Sequence, residues 1–155
     1  MLSSSSLNLR SAKPSDRPHL LVWDTPDEVE LQQIALYNNA QRVNYRQNLL
    51  SRVKPGDRFL VLHQYLDREL NAISSIGASA DKPIVLLEGL DCFITYLYVQ
   101  PASPISLFWQ KITDMRHLES LLWILLPSKL VHDGWAETRC IRRTSIFQET
   151  DRSYS

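Results

Sequence analysis

The segment 82–91, KPIVLLEGLD, constrains the fold of this chain more than any other stretch. It is a proline-started apolar run that ends in carboxylates, as expected for a buried parallel strand that carries acidic groups to the carboxyl edge of an α/β sheet. Folds of this class bind their ligands at that edge. The segment therefore predicts a parallel sheet and the position of a site, without identifying a reaction.

Length and charge limit the possible classes of protein. The chain has 155 residues, which favours one domain with its own core. Its 17 basic and 17 acidic residues leave no net charge, which argues against non-specific binding of nucleic acid through phosphates. Residues 1–18 and 148–155 are poor in side chains that pack. We predict two disordered tails there and a single α/β domain over 19–147.

The cysteines and the N-terminus indicate a compartment. Cys92 and Cys140 form no CxxC pair and have no histidine at ligand spacing, so we predict buried free thiols, which suit a reducing cytosol. The first residues lack the basic start and apolar core of a secretory signal. No segment approaches the roughly 18 apolar residues of a membrane span. We expect a cytoplasmic protein.

Strand-like and helix-like segments alternate along the chain. The predicted strands are 19–24, 58–63, 83–88, 120–126 and an edge strand at 139–147. Helices are predicted through 66–77 and after Pro104, and segment 91–99 is ambiguous. This alternation predicts an α/β three-layer sandwich with a mainly parallel sheet, P-loop-NTPase-like or Rossmann-like.

The first helix carries the best local signal. Thr25 is its predicted N-cap, with Pro26 in the first turn and Glu28 completing a capping box. The helix is predicted to run toward Val53, with an interruption near 38–39. Acidic residues cluster at its start and basic ones toward its end, an order that complements the helix dipole. The basic residues are Arg42, Arg46, Arg52 and Lys54.

Two segments carry a resemblance to a known family. The segment 83–88, PIVLLE, followed by Asp91, resembles the Walker B strand of RecA-like P-loop NTPases. The segment 122–128, LWILLPS, resembles the neighbouring strand of that family, which ends in a polar sensor residue. The order of the elements between these two segments also fits, and the resemblance spans residues 19–130.

The front of the chain departs from that family. Where the family has G-x-x-x-x-G-K-[ST], segment 23–30 reads WDTPDEVE, with no glycine, no lysine and four carboxylates. A phosphate loop binds its anion through glycine amides and a lysine. The resemblance therefore implies a degenerate domain that does not bind a triphosphate in the family's manner, and we expect no cofactor.

The carboxylates at the predicted sheet edge could act together. If the first and third strands are adjacent, Asp24 and Glu88 emerge side by side, with Asp91 in the loop beyond and His63 at the end of the second strand. Converging acids can hold Mg²⁺ and activate water, so the three acids are candidate metal ligands. Together with His63 they are the candidate catalytic residues. The alternative, that they are helix caps or solvated loop groups, stays open.

Three functions follow from these features. The first is a non-catalytic protein-interaction or regulatory module, with the aromatic segment 96–109 as a candidate partner surface. The second is a Mg²⁺-dependent hydrolase or nuclease. The third is a nucleic-acid-binding accessory protein, which requires four arginines to form one basic face: Arg58, Arg139, Arg142 and Arg143. We favour the first function because the residues of phosphate chemistry are missing.

Overall fold

The computed structural model describes residues 7–52 and 66–143, which form an α/β fold around a parallel sheet. The strands are β1 (His19–Trp23), β2 (Ala40–Asn44), β3 (Ile84–Glu88), β4 (Leu121–Leu126) and β5 (Cys140–Arg143). The helices are α1 (Glu28–Asn38), α2 (Tyr45–Arg52), α3 (Leu66–Ala78), α4 (Leu90–Tyr98) and α5 (Ile105–Asp114).

The strand order in this part of the chain is β2-β3-β4-β1-β5, and every pair is parallel. All residues of β1 and β4 are buried. Near-continuous apolar runs of this kind are required where helices cover both faces of a parallel sheet. The α/β fold and the parallel sheet predicted from the sequence are confirmed.

The helices divide between the two faces of the sheet. Because successive side chains of a strand point to opposite faces, Trp23 and Leu21 pack on the side of α1, whereas Val22 and Leu20 pack on the other side. That other side carries buried side chains of α2, α3, α4 and α5. Two apolar layers therefore enclose the sheet.

The predicted interruption of the first helix near 38–39 is confirmed, but the prediction that the helix continues directly after it is wrong. Asn39 adopts the left-handed conformation, with φ 53°, and its backbone N–H donates to carbonyls of the last turn of α1. Asparagine in this conformation ends helices. The next five residues form β2, which pairs along its length with β3. The predicted helix from Thr25 toward Val53 is therefore two helices with an edge strand between them, and Arg42 lies on that strand.

The N-cap of α1 is also displaced from its predicted position. The Asp27 carboxylate, not Thr25, accepts a hydrogen bond from the backbone N–H of Glu30 at 3.0 Å. The predicted capping pattern is thus shifted by two residues along the chain. Pro26 precedes the cap, and the helix begins at Glu28.

Residues 7–18 differ from the disordered tail expected there. Leu9 is fully buried against the α1 side of the sheet, and its carbonyl accepts from the Trp123 indole N–H at 3.0 Å. The buried Asn38 side chain accepts from the Leu9 N–H at 2.8 Å and donates to the Leu7 carbonyl at 2.8 Å. Part of the expected tail therefore belongs to the core.

The segment 91–99, whose type the sequence leaves ambiguous, belongs to helix α4. The predicted strand at 120–126 corresponds to β4, and the predicted helix at 66–77 corresponds to α3. Both cysteines are free thiols, as predicted, but Cys92 is exposed and Cys140 half-buried, so the prediction of burial was wrong. The predicted strand 58–63 and residues 144–155 lie outside the described residues. Within the described ranges, no helix is long and apolar enough to cross a membrane.

The displaced cap gives a first prediction. Asp27→Ala should lower the free energy of unfolding by about 1 kcal/mol, because the Glu30 N–H loses its acceptor. Thr25→Ala is the matched control and should leave it nearly unchanged. Urea denaturation of both variants measures the difference, and a larger loss in Thr25→Ala would contradict the assignment of the cap.

Candidate functional site

A crevice opens at the carboxyl end of β1 and β4. From β1 the chain continues into α1 on one face of the sheet, whereas after β4 it packs Leu130 and Trp135 against the opposite face. Parallel α/β sheets bind ligands at such divergence points. The crevice has a volume of about 150 Å³ and is lined by Trp23, Asp24, Pro26, Gly89, Asp91, Leu125, Leu126 and Pro127.

The strand order corrects the expected arrangement of the acids. β4 lies between β1 and β3, so the first strand and the strand at 84–88 are not neighbours. Strands that are two positions apart in a sheet are separated by roughly 10 Å. Asp24 and Asp91 both line the crevice, and Glu88 does not. His63 lies outside the described residues.

Asp24 contacts the end of the neighbouring strand. Its Oδ1 accepts from the Ser128 backbone N–H at 2.7 Å and from the Ser128 Oγ at 2.8 Å. Ser128 begins a short 3₁₀ turn that follows β4. The carboxylate therefore links the exit of β4 to the exit of β1.

Glu88 is paired with an arginine of the edge strand. Arg42 donates from Nε to Glu88 Oε2 at 2.7 Å and from Nη2 to Oε1 at 2.8 Å. The side chains are only 19% and 17% exposed. The same guanidinium donates to both carboxylate oxygens of Glu28, at 2.6 and 2.9 Å. Such two-pronged pairs are the strongest ion pairs that carboxylates form with side chains.

These contacts also alter the acidity of the groups. Hydrogen bonds to Glu88, and then to Glu28, raise the pKa of Arg42 above its ordinary value. The hydrogen bond from Arg42 holds the pKa of Glu28 below its usual range. Arg42 and Glu28 are therefore fully charged at neutral pH and neutralise each other in part.

Asp91 lies in the first turn of α4, where the helix dipole favours a carboxylate. The preceding Gly89 has φ +84°, and a Cβ there would lie 3.0 Å from the Asn44 Oδ1. Both the backbone conformation and this close approach require glycine. In the described ranges, no group of three or more His, Cys, Asp or Glu side chains is arranged to hold a metal ion.

The candidate nucleic-acid arginines have separate intrachain partners. Buried Arg139 donates to the Pro18 carbonyl at 2.7 Å and lies over the Trp135 ring. Arg142 pairs with Glu137 at 2.9 Å, and Arg143 pairs with Glu30 at 2.7 Å. Arg58 lies outside the described residues. A nucleic acid would have to compete with these three sets of contacts.

A second charged cluster was not predicted. Fully buried Glu69 of α3 accepts two hydrogen bonds from Arg52 of α2, at 2.8 and 3.0 Å, and one from the Tyr45 hydroxyl. Arg68 donates to it at 3.2 Å. One signal could have revealed it, because Glu69 falls within the apolar stripe of α3 that contains Leu66 and Ile73. An acid on a buried helical face requires partners.

Opposing effects set the pKa of Glu69. Burial alone would raise it, but the hydrogen bonds from Arg52 and Tyr45 together outweigh burial and lower it below its usual value. Burial and the bond to Glu69 raise the pKa of the Tyr45 hydroxyl. The cluster therefore contains a carboxylate and a neutral phenol, which hold α2 against α3.

No family model matches the chain, and neither the curated proteins nor the solved structures contain a match.

The Glu69 cluster gives a prediction about pH. A carboxyl whose pKa is lowered by folding contributes stability above its unfolded-state value, near 4.5, and this contribution is lost as the pH falls through the folded-state value. The free energy of unfolding of the native chain should therefore fall more steeply on acidification than that of Glu69→Gln. Urea denaturation over a pH series measures both slopes.

The control for this experiment is Glu119→Gln, an exposed acid of the same type. The free energy of unfolding of Glu119→Gln should change with pH as steeply as that of the unmodified chain. If Glu69→Gln also keeps the original slope, the Glu69 carboxylate contributes nothing to acid sensitivity and the assigned direction of its pKa is wrong.

Proposed function

We propose that this chain is a non-catalytic α/β protein-interaction module with the layout of a degenerate RecA-like NTPase domain. The observation that carries the proposal is the two-pronged pairing of Glu88 with Arg42. In P-loop NTPases a Walker B acid helps to hold Mg²⁺. Here the acid at the corresponding strand end is neutralised by the protein's own guanidinium.

The pairing of β3 with β4 supports the proposed RecA-like arrangement of strands. The resemblance to the family expects the segment 122–128 to lie beside the segment 83–88, and β4 does pair in parallel with β3. Ser128, the residue at the sensor position of that resemblance, donates to Asp24 at the exit of β1. The polar groups at the ends of these strands thus bind one another.

The start of α1 supports the absence of phosphate chemistry. A helix N-terminus after the first strand is where a phosphate would meet free amides. The Asp27 carboxylate already accepts from the amide of Glu30, and Glu28 and Glu30 add negative charge in the same turn. A polyphosphate brought to this point would be repelled.

A role in protein binding is supported by apolar side chains that remain exposed around α2, α4 and α5. At the junction of α4 and α5, Val99 is 72% exposed, and Tyr98 and Leu107 are also exposed. Phe108 and Trp109 of the predicted partner surface are instead buried in the core. A cytoplasmic location, which suits an exposed free thiol at Cys92, belongs to the same proposal.

The first test asks whether the protein binds ATP or a divalent metal ion. Calorimetry with millimolar ATP and Mg²⁺ should give no saturable heat, and no ATP should be hydrolysed, because the acid of β3 is occupied and the phosphate loop is replaced by acids. Millimolar Mg²⁺ or Mn²⁺ should also leave the melting temperature unchanged, since a ligand stabilises only a native state that it binds. Asp91→Asn and Glu88→Gln are the variants for comparison.

Two results would contradict the proposal. One is saturable ATP binding that disappears in Glu88→Gln. The other is a metal-dependent rise of the melting temperature that is lost in Asp91→Asn or Glu88→Gln, which would favour the Mg²⁺-dependent hydrolase.

A second test asks whether Arg42 and Glu88 depend on each other. Arg42→Ala should lower the free energy of unfolding by about 2 kcal/mol, because it leaves the mostly buried Glu88 charge without a partner. In the Arg42→Ala background, a further Glu88→Gln change should restore part of this loss. Glu28→Gln, which removes only an exposed partner, should have a much smaller effect in urea denaturation. Equal losses in Arg42→Ala and Glu28→Gln would show that Glu88 does not depend on Arg42.

A further inference from the structure

A second cleft lies between α2 and α4, on the face of the sheet opposite α1. It has a volume of about 390 Å³. The rings of Tyr45 and Phe93, both buried, are neighbours with centroids 5.7 Å apart. The lining is predominantly apolar and consists of Tyr45, Arg46, Leu49, Leu50, Cys92, Phe93 and Tyr96.

One wall of the cleft presents an apolar side chain and a cation together. Leu50 is 56% exposed although it borders an apolar surface. Arg46 lies four residues earlier in α2, and residues at this spacing share one helical face. The outer side of α2 therefore offers Leu50 for burial and Arg46 for pairing.

The charge of the cleft is unbalanced. Its lining contains Arg46 and no acidic residue. Arg42 and Arg52, near Arg46 in the chain, have intrachain carboxylate partners. Arg46 forms no ion pair within the described residues. A complementary occupant must supply apolar side chains and one carboxylate.

We propose that this cleft binds an amphipathic helix of a partner protein, with its apolar stripe between α2 and α4 and a carboxylate on Arg46. This inference rests on the proposed function and names its partner class and surface. α2 and α4 contain 8 and 9 residues, so each wall is about 12–14 Å long. That length accommodates about two turns of a bound helix, whose anchors recur at i, i+3, i+4 and i+7.

The test uses two fluorescein-labelled helical peptides of alanine and glutamine. Both carry leucines at i, i+3, i+4 and i+7, and they differ only in one residue beside this stripe, which is glutamate or lysine. Fluorescence anisotropy should show that the glutamate peptide binds several-fold more tightly than the lysine peptide. Arg46→Glu should reverse this preference, because it reverses the charge that the peptide meets.

Leu50→Glu should weaken binding of the glutamate peptide about tenfold or more, because it removes an apolar anchor and adds a repelling charge. Leu36→Glu, at an exposed leucine of α1, is the matched control and should leave affinity unchanged. Bound peptide should also slow the alkylation of Cys92, measured in a Cys140→Ser background. Circular dichroism shows that each variant is folded before its affinity is compared.

Four results would overturn the proposal. The first is absence of binding by the glutamate peptide, and the second is binding that Arg46→Glu and Leu50→Glu leave unaltered. The third is displacement of the peptide by a synthetic peptide of residues 53–65, which would assign the cleft to the chain's own segment. The fourth is dimerisation in sedimentation that Leu50→Glu abolishes, which would assign it to a second copy. Calorimetry with ATP and Mg²⁺ tests the proposed function separately, so loss of peptide binding alone leaves the absence of nucleotide chemistry intact.

Discussion

One side of this structure depends on the ion pairs that the Arg42 guanidinium forms with two carboxylates. Arg42 lies on the edge strand β2 and binds Glu88 at the end of β3 and Glu28 at the start of α1. One side chain thus connects two strands and the helix that crosses over them. Because mostly buried Glu88 receives two hydrogen bonds, the contact stabilises the pairing of β2 with β3 at this end, whereas the contact with exposed Glu28 adds less. The same contact gives Glu88 its partner, so one side chain both joins these elements and neutralises the acid at the end of β3.

The part of the fold that the sequence predicts is the part determined by local composition. Central strands are buried on both faces and must be apolar along their whole length, so β3 and β4 are visible as continuous runs. The edge strand β2 is only partly buried and reads AQRVN, which has no strand-like alternation. Its conformation depends on pairing with β3, more than forty residues away. A local pattern contains no information about that pairing, which explains why a helix was predicted there.

The candidate site shows the same division. The position of Glu88 at the carboxyl edge follows from its place at the end of an apolar run, and the sequence predicts it correctly. The partner of Glu88 does not follow from the sequence, because the local pattern places Arg42 near the end of a predicted helix. Glu69 could have been found as an acid within an apolar helical stripe, whereas its partners on α2 could not. Sequence patterns thus reveal where a charged group lies more readily than which group neutralises it.

The burial of Leu9 has a consequence for how the chain folds during synthesis. Its carbonyl binds Trp123, which follows 114 residues later. The strand β1, which leaves the ribosome soon after Leu9, pairs with β4 on one side and with β5 on the other. Contacts between such distant residues form slowly, because a long loop must close before they contribute any energy. The strand β1 therefore stays without its described neighbours until β4 and β5 have been synthesised.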